Sequence, residues 1–194
     1  MKLIWKGKMT TDNLFIPDNI PDSAKMLSSE KYTWLAYLLV VPILAIAYAG
    51  IVIRRPYVVG IAFNKIAFFI GVGLSIVFLV VHELIHVLCC PRDTTVFVYL
   101  TSAGIGCVPA CGLKKNRYLL VALMPTIVLG VIPFIIWICF PGMNVIISSI
   151  LFAFSIGSLS MCVGDIYNAF LAAFKMNRRS VLVTSKTDIY YYNE

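Results

Sequence analysis

Four long apolar runs decide what this chain can fold into. Trp34 to Ile53 gives 20 residues without a charge, enough for about 30 Å of helix. Ile66 to Cys90 and Tyr118 to Phe140 are similar, and Val145 to Phe174 stays apolar for 30 residues, more than one bilayer crossing needs. In hydrocarbon every backbone N–H and C=O must find a partner within the protein, so such runs are expected as helices. The 60% hydrophobic content and the mean hydropathy of +0.91 also point to a bilayer as solvent. A length of 194 residues suits one domain. The expected fold class is an all-α polytopic membrane protein, with about four transmembrane helices and a small β-hairpin at the cytosolic membrane surface.

The segments between the runs are of different character. Residues 1–33 read as a cytosolic lead-in, with a short strand from Lys2 to Met9 or, given Pro17, Pro21 and the nearby Asp12, Asp18 and Asp22, an irregular chain. These first residues are polar, so no cleavable signal peptide is expected. Residues 34–174 form the transmembrane domain. Pro42 is a candidate kink in the first span; Arg54-Arg55-Pro56 ends it, and Pro91-Arg92-Asp93 ends the second. Residues 94–111 differ in kind: Thr94 to Leu100 is β-branched and aromatic, Ser102-Ala103-Gly104 can turn the chain, and Ile105 to Cys111 can return as a second strand. Pro125 and Pro133 lie inside the third span. The over-long fourth run tilts, projects from the membrane, or breaks at Gly157 and Gly164. The tail, 175–194, is cytosolic on this reading and holds a strand candidate, Ser180 to Ser185, and the cluster Tyr190-Tyr191-Tyr192.

Basic residues set the orientation. Five lie in the N-terminal segment, four in the 91–117 loop and four in the tail; Arg54, Arg55 and Lys65 stand alone on the other side of a four-span arrangement. The positive-inside rule then puts both termini in the cytoplasm. The excess charge of +7 is accounted for by this asymmetry. There is no basic–aromatic interleaving or nucleic-acid motif, and no nucleic-acid partner is expected. The six cysteines do not read as a disulfide framework; several sit in apolar runs, where cysteine behaves as a small hydrophobe.

The only two histidines occur together, in His82-Glu83-Leu84-Ile85-His86. Residues four apart share a helix face, so both imidazoles can hold one metal ion, with Glu83 beside them as a carboxylate base. This is the zinc-hydrolase pattern H-E-x-x-H, and Zn2+ is the expected cofactor. A coincidental match on a surface or in a core is the blander reading, but three ionisable groups in an apolar run are costly unless they are used. A catalytic zinc takes three protein ligands and keeps one position open. After His86 the acidic residues are Asp93, Asp165, Asp188 and Glu194, and only Asp165 lies inside a span. It stands nine residues before Phe174, roughly 13 Å from that end at helical rise, while the histidines lie roughly 6–12 Å from Cys90. The second and fourth spans share a direction, so His82, His86 and Asp165 reach a similar depth. Cys90 is too far along the helix from His82 to close the same shell, and Cys89 and Cys90 read as core residues. Asn168, three residues after Asp165, faces nearly the same way and can orient it or steady an oxyanion.

These residues carry a resemblance. His82-Glu83-x-x-His86 with Gly164-Asp165 late in a span is similar to site-2-protease-type intramembrane zinc metalloproteases. The closer resemblance is to a bacterial family of unknown function described as zincin peptidases. It rests on the lead-in Lys2-Leu3-Ile4-Trp5-Lys6-Gly7-Lys8, on Leu123-Met124-Pro125 in the third span and on Gly164-Asp165-Ile166-Tyr167 in the fourth. The site-2 proteases carry a fuller Asn/Pro-containing segment before their aspartate, where this chain has Ser160-Met161-Cys162-Val163. The resemblance implies a peptidase of the bacterial cell membrane acting on a peptide or membrane-protein substrate. A helical substrate must unwind to expose its scissile carbonyl, and an edge of the 94–111 hairpin can hold it extended by strand addition. Thr94, Val96, Val98 and Gly104, with Pro125, are the candidate substrate contacts. The competing function is a non-catalytic metal-binding membrane scaffold or adaptor, which would not need Glu83; four spans without an internal repeat argue against a transporter.

Overall fold

The computed structural model describes residues 1–17, 20–58, 63–101 and 104–193. Strands β1 (Lys2–Lys8) and β2 (Lys25–Ser28) precede a 3-10 stretch, Glu30–Leu39, which runs into α1 (Val40–Arg54). The second apolar run forms α2 (Lys65–Val77) and α3 (Leu79–Cys89). Then come β3 (Thr95–Thr101), β4 (Gly104–Pro109) and β5 (Leu113–Lys114). The third run is α4 (Lys115–Pro125), a π-helical segment, Thr126–Val131, and α5 (Ile132–Cys139). The fourth is α6 (Val145–Met161) and α7 (Val163–Lys175), followed by β6 (Ser180–Ser185) and β7 (Asp188–Asn193).

Two helical stretches, Trp34–Tyr57 and Lys115–Cys139, are long and apolar enough to cross a membrane. The second and fourth runs qualify as bent pairs, with bends of 41° between α2 and α3 and 52° between α6 and α7. The outward faces are strongly apolar: Ile66 is 75% exposed and Phe174 76%. Pro42 falls in the first turn of α1, close to the junction with the 3-10 stretch, and the helix runs on through it. The fourth run breaks at Cys162 (φ −83°, ψ 6°) rather than at Gly157 or Gly164. Gly157 instead packs against Ser75 of α2.

The expectation of an all-α fold is corrected. The described chain holds two sheets, one ordered β1-β3-β4 and the other β2-β7-β6-β5. The strands of 94–111 form the expected antiparallel hairpin, with Val98 opposite Cys107, while its turn at Ser102-Ala103 lies outside the described residues. The lead-in and the tail hold the strands suggested there, Lys2–Lys8 and Ser180–Ser185, but the sheets they join go beyond the one expected hairpin. β1 pairs in parallel with β3, and β2 pairs with β7. Such pairings join segments far apart in sequence, which no local periodicity reveals. They also bring the N-terminal segment, the 91–117 loop and the tail together at one end of the helices. The hairpin lies alongside α3 rather than past its end. Val96 packs with Val87 and Cys90, while Gly104 lies near Leu79 at the start of that helix.

Basic residues at the start of α4 stitch this end together. Lys115 donates to the carbonyls of Ala173 and Met176, at the end of α7, and Arg117 donates to that of Cys90, at the end of α3. Cations are favourable at both positions, since each carbonyl terminus is the negative end of its helix. At the opposite end Arg54, read from the sequence as a helix terminator, is buried. It donates to Ser148 Oγ and to the carbonyls of Phe140 and Pro141, with its guanidinium over the Trp137 ring.

Close backbone approach holds α2 to α6. A Cβ at Gly71 would lie 2.4 Å from the Ile150 carbonyl oxygen and 2.8 Å from Ala153 Cβ, whereas nothing stands within 4 Å of one at Gly73. Gly71→Ala is therefore expected to lose about 1–3 kcal/mol of stability by overpacking. Gly73→Ala should lose none of it, as read by unfolding in detergent; equal behaviour of the two variants would refute this packing.

Candidate metal centre

Two bends place the centre. α3 begins directly after the break at Phe78 (φ −72°, ψ 0°), so His82 falls in its first turns and His86 one turn later on the same face. α7 begins directly after Cys162, which puts Asp165 in its first turn. The three side chains converge. His82 Nε2 is 2.9 Å from His86 Nε2 and 3.0 Å from Asp165 Oδ2, and His86 Nε2 is 3.4 Å from the same oxygen. His82 is buried, while His86 and Asp165 are partly so.

The back of each imidazole is held. His86 Nδ1 lies 2.8 Å from the carbonyl of Val121, which can only accept, so Nδ1 carries the proton and Nε2 presents its lone pair. The sequence of α4 explains why that carbonyl is free. In an α-helix Val121 would accept from the N–H of the residue four further on, and that residue is Pro125, which has none. Pro125 thus releases an acceptor at the level of the site, and His86 takes it. The cost to the helix shows immediately after, where the ladder loosens into the π segment. His82 Nδ1 faces Cys162 Sγ at 3.5 Å, and that cysteine is fully buried at the α6–α7 break.

A cavity of about 390 Å³ opens beside the three side chains, within the range of ligand clefts. Glu83, His86, Asp165, Asn168 and Tyr118 line its helical wall. The Cys107 thiol of β4 lines the cavity beside Glu83. Burial and the neighbouring Glu83 push that thiol upward in pKa, so it stays protonated. The Asn168 carbonyl oxygen is buried without a protein partner among the described residues.

Gly106, Cys107, Val108 and Pro109 all line the cavity. Consecutive strand residues face opposite ways, so four in a row mean that β4 meets the cavity edge-on. Ala110 N donates to Thr95 O, fixing a hydrogen-bonded pair there. Alternation along the ladder then directs the N–H and C=O of Cys107 away from β3, toward the open edge. Of the residues expected to meet substrate, Val96 lines the cavity; Thr94, Val98, Gly104 and Pro125 are not among its walls. Thr94, Val96 and Val98 flank or occupy β3, the central strand, whose two edges are already paired. Cys107, Cys162 and the Val121 carbonyl escaped sequence reading. Only the last left a signal, the proline four residues on.

Three acceptor atoms facing one point repel each other unless a proton or a cation lies between them. A tetrahedral zinc, with bonds of about 2.0–2.1 Å, separates its ligand atoms by about 3.3 Å. The observed separations of 2.9, 3.0 and 3.4 Å sit around that value. His82, His86 and Asp165 are therefore a donor set that zinc fits, with the cavity on its open side.

Since Pro125 frees the carbonyl that orients His86, Pro125→Ala should return Val121 to its own helix. Zinc affinity is then expected to fall about 10–100-fold, the usual effect of losing a ligand's supporting hydrogen bond. Titration against a competing chelator measures it, and an affinity equal to that of the parent chain would refute the coupling.

Comparison with known proteins bears on the same region. Neither the curated proteins nor the solved structures contain a match to this chain. A family model described as "putative zincin peptidase" matches residues 75–181, more than half of the chain and the whole of the site from α3 through α7. That description implies zinc and peptide-bond hydrolysis for the family. The chain, with its His82-Glu83-x-x-His86 helix inside the matched region, belongs to this zincin peptidase family.

Proposed function

We propose that the protein is a membrane-embedded zinc metalloendopeptidase, of the general kind of the site-2 proteases, that cuts a membrane-associated protein. The observation that carries this reading is the convergence of His82, His86 and Asp165 on one point, with Glu83 on the wall of the adjoining cavity. Bound there, zinc would supply Lewis acidity, polarising a peptide carbonyl and making water more acidic.

The chain's own residues do the rest. Glu83 accepts a proton from the attacking water as its oxygen bonds to the carbonyl carbon. It then delivers that proton to the departing amine as the C–N bond breaks. The protonated Cys107 thiol stands beside that carboxylate on the cavity wall. Asn168 lines the same cavity, one turn beyond Asp165. Its Oδ1 has no protein partner, and its amide N–H groups are suited to an oxyanion. The substrate lies extended against the open edge of β4, where the backbone of Cys107 offers one donor and one acceptor.

The apolar surface of the four runs supports placement in a bilayer. The concentration of Lys and Arg in the segments that build the two sheets supports a cytoplasmic position for those sheets and for both termini, in the cell membrane of a bacterium. A scaffold or adaptor that merely binds metal would not need a base beside its ligands.

Glu83→Gln separates chemistry from binding. It should keep the zinc content of the parent protein and lower the cleavage rate about 10²–10⁴-fold, the range of a lost general base. His82→Ala and Asp165→Ala should lose metal affinity as well. Undiminished proteolysis by Glu83→Gln would overturn the mechanism, and undiminished zinc in Asp165→Ala would remove that residue from the ligand set.

A further inference from the structure

The cavity has a second strand edge that the hairpin reading does not use. β4 and β5 are consecutive, joined by Ala110-Cys111-Gly112, yet they belong to different sheets. β5 pairs with β6 only at Leu113–Leu182 and Lys114–Val181. Beyond that point Val183, Thr184 and Ser185 have no strand partner on the β5 side. The two sheets thus fork apart at β5, and the cavity fills the fork: Leu182, Thr184, Lys186 and Thr187 line it opposite Cys107. Ser185 and Asp188 close a two-residue turn and make the hydrogen-bonded pair of that hairpin. Alternation then turns the N–H and C=O of Thr184 away from β7, into the fork.

Lys186 sits at the tip of this hairpin. It has φ +55°, the only positive value on a non-glycine among the described residues. A lysine in that region costs energy unless its surroundings hold it there. Its N–H donates to the Phe15 carbonyl at 2.8 Å, and Phe15 packs on Phe97 of the other sheet. Among the described residues, Lys186 is, apart from His86, the only basic side chain lining the cavity; the acidic ones are Glu83 and Asp165 of the centre itself.

We propose that the β6–β7 hairpin is the second wall of the substrate groove, and that Lys186 is its specificity residue. An extended peptide inserts between the open edges at Cys107 and Thr184, and a carboxylate of that peptide pairs with the Lys186 ammonium. The carboxylate is either an acidic side chain away from the scissile bond or the peptide's C-terminus. This rests on the peptidase reading for the identity of the ligand as a peptide, and its test needs no turnover.

The test uses the full chain in detergent, carrying Glu83→Gln and loaded with zinc. Fluorescent peptides about ten residues long, roughly 33 Å when extended, carry Glu, Gln or Lys at a scanned position, each with a free or an amidated C-terminus. Binding is followed by anisotropy. The Glu peptide, or the peptide with the free C-terminus, is expected to bind at least about fivefold more tightly than its Lys or amidated counterpart. Whichever of the two pairs shows the preference identifies the source of the carboxylate. Lys186→Glu should invert the preference, and Lys186→Gln should level it. N-methylation of alternate peptide nitrogens should abolish binding to all variants. The same rank order in parent, Lys186→Glu and Lys186→Gln proteins would overturn the proposal, as would tight binding of the N-methylated peptide. Cleavage by the unmutated chain with no charge inversion sinks this inference alone. Charge inversion without cleavage by the unmutated chain leaves the groove standing and sinks the peptidase reading.

Discussion

Two imidazole lone pairs and a carboxylate oxygen meet within about 3 Å of one another between helices drawn from apolar runs, and the architecture around them serves that meeting. Buried acceptors without a donor or a cation are expensive. Each element nearby either aims one of these groups or supports one that does. The breaks at Phe78 and Cys162 let two apolar runs turn in mid-course, so that α3 and α7 approach α4 with their ligands at one level. Lys115 and Arg117 clamp the ends of α7 and α3 to the start of α4. The three helices that build the site are therefore fixed both at the site and at their common end.

Much of this was legible in the sequence, and the limit of legibility is physical. The apolar runs were readable because hydrocarbon leaves the backbone few options, and their boundaries fell close to the observed helices. His82, Glu83 and His86 were readable because a four-residue spacing has one meaning on a helix. Asp165 was reached by elimination, as the only carboxylate after His86 inside a span. The sheets were not legible as sheets. Lys2 to Lys8 suggests a strand but cannot say that its partner is β3, some ninety positions on, because strand pairing leaves no local mark. Arg54 ends its helix as the sequence suggests, but only the fold shows the carbonyls of Phe140 and Pro141 that enclose it.

Pro125 marks the boundary between these cases. From the sequence it is either a kink or part of a binding wall. In the structure it acts through an absence: the N–H it lacks leaves the Val121 carbonyl for His86. Inferring this requires knowing that α4 lies beside α3 with position 121 at the level of position 86, which is tertiary information. The sheets show a comparable economy. An open strand edge is ordinarily an aggregation risk, but the edge of β4 is turned toward α3 and the cavity, and it ends in Pro109, which has no N–H to offer. What remains open lies beside Glu83.

Charge balance ties the metal to the fold. Without a cation, Asp165 and Glu83 would stand as two negative groups near each other, one facing neutral imidazoles and the other a thiol. A divalent cation cancels both and satisfies the lone pairs at the same time. Its binding free energy is therefore also packing free energy, because it is gained only when α3 and α7 are in place. The same residues that make the site useful for hydrolysis make the ion-free arrangement costly. A metal held there would thus add to the packing that joins the other helices, the close approach of Gly71 to Ala153 and the cluster of Phe134, Trp137 and Phe152.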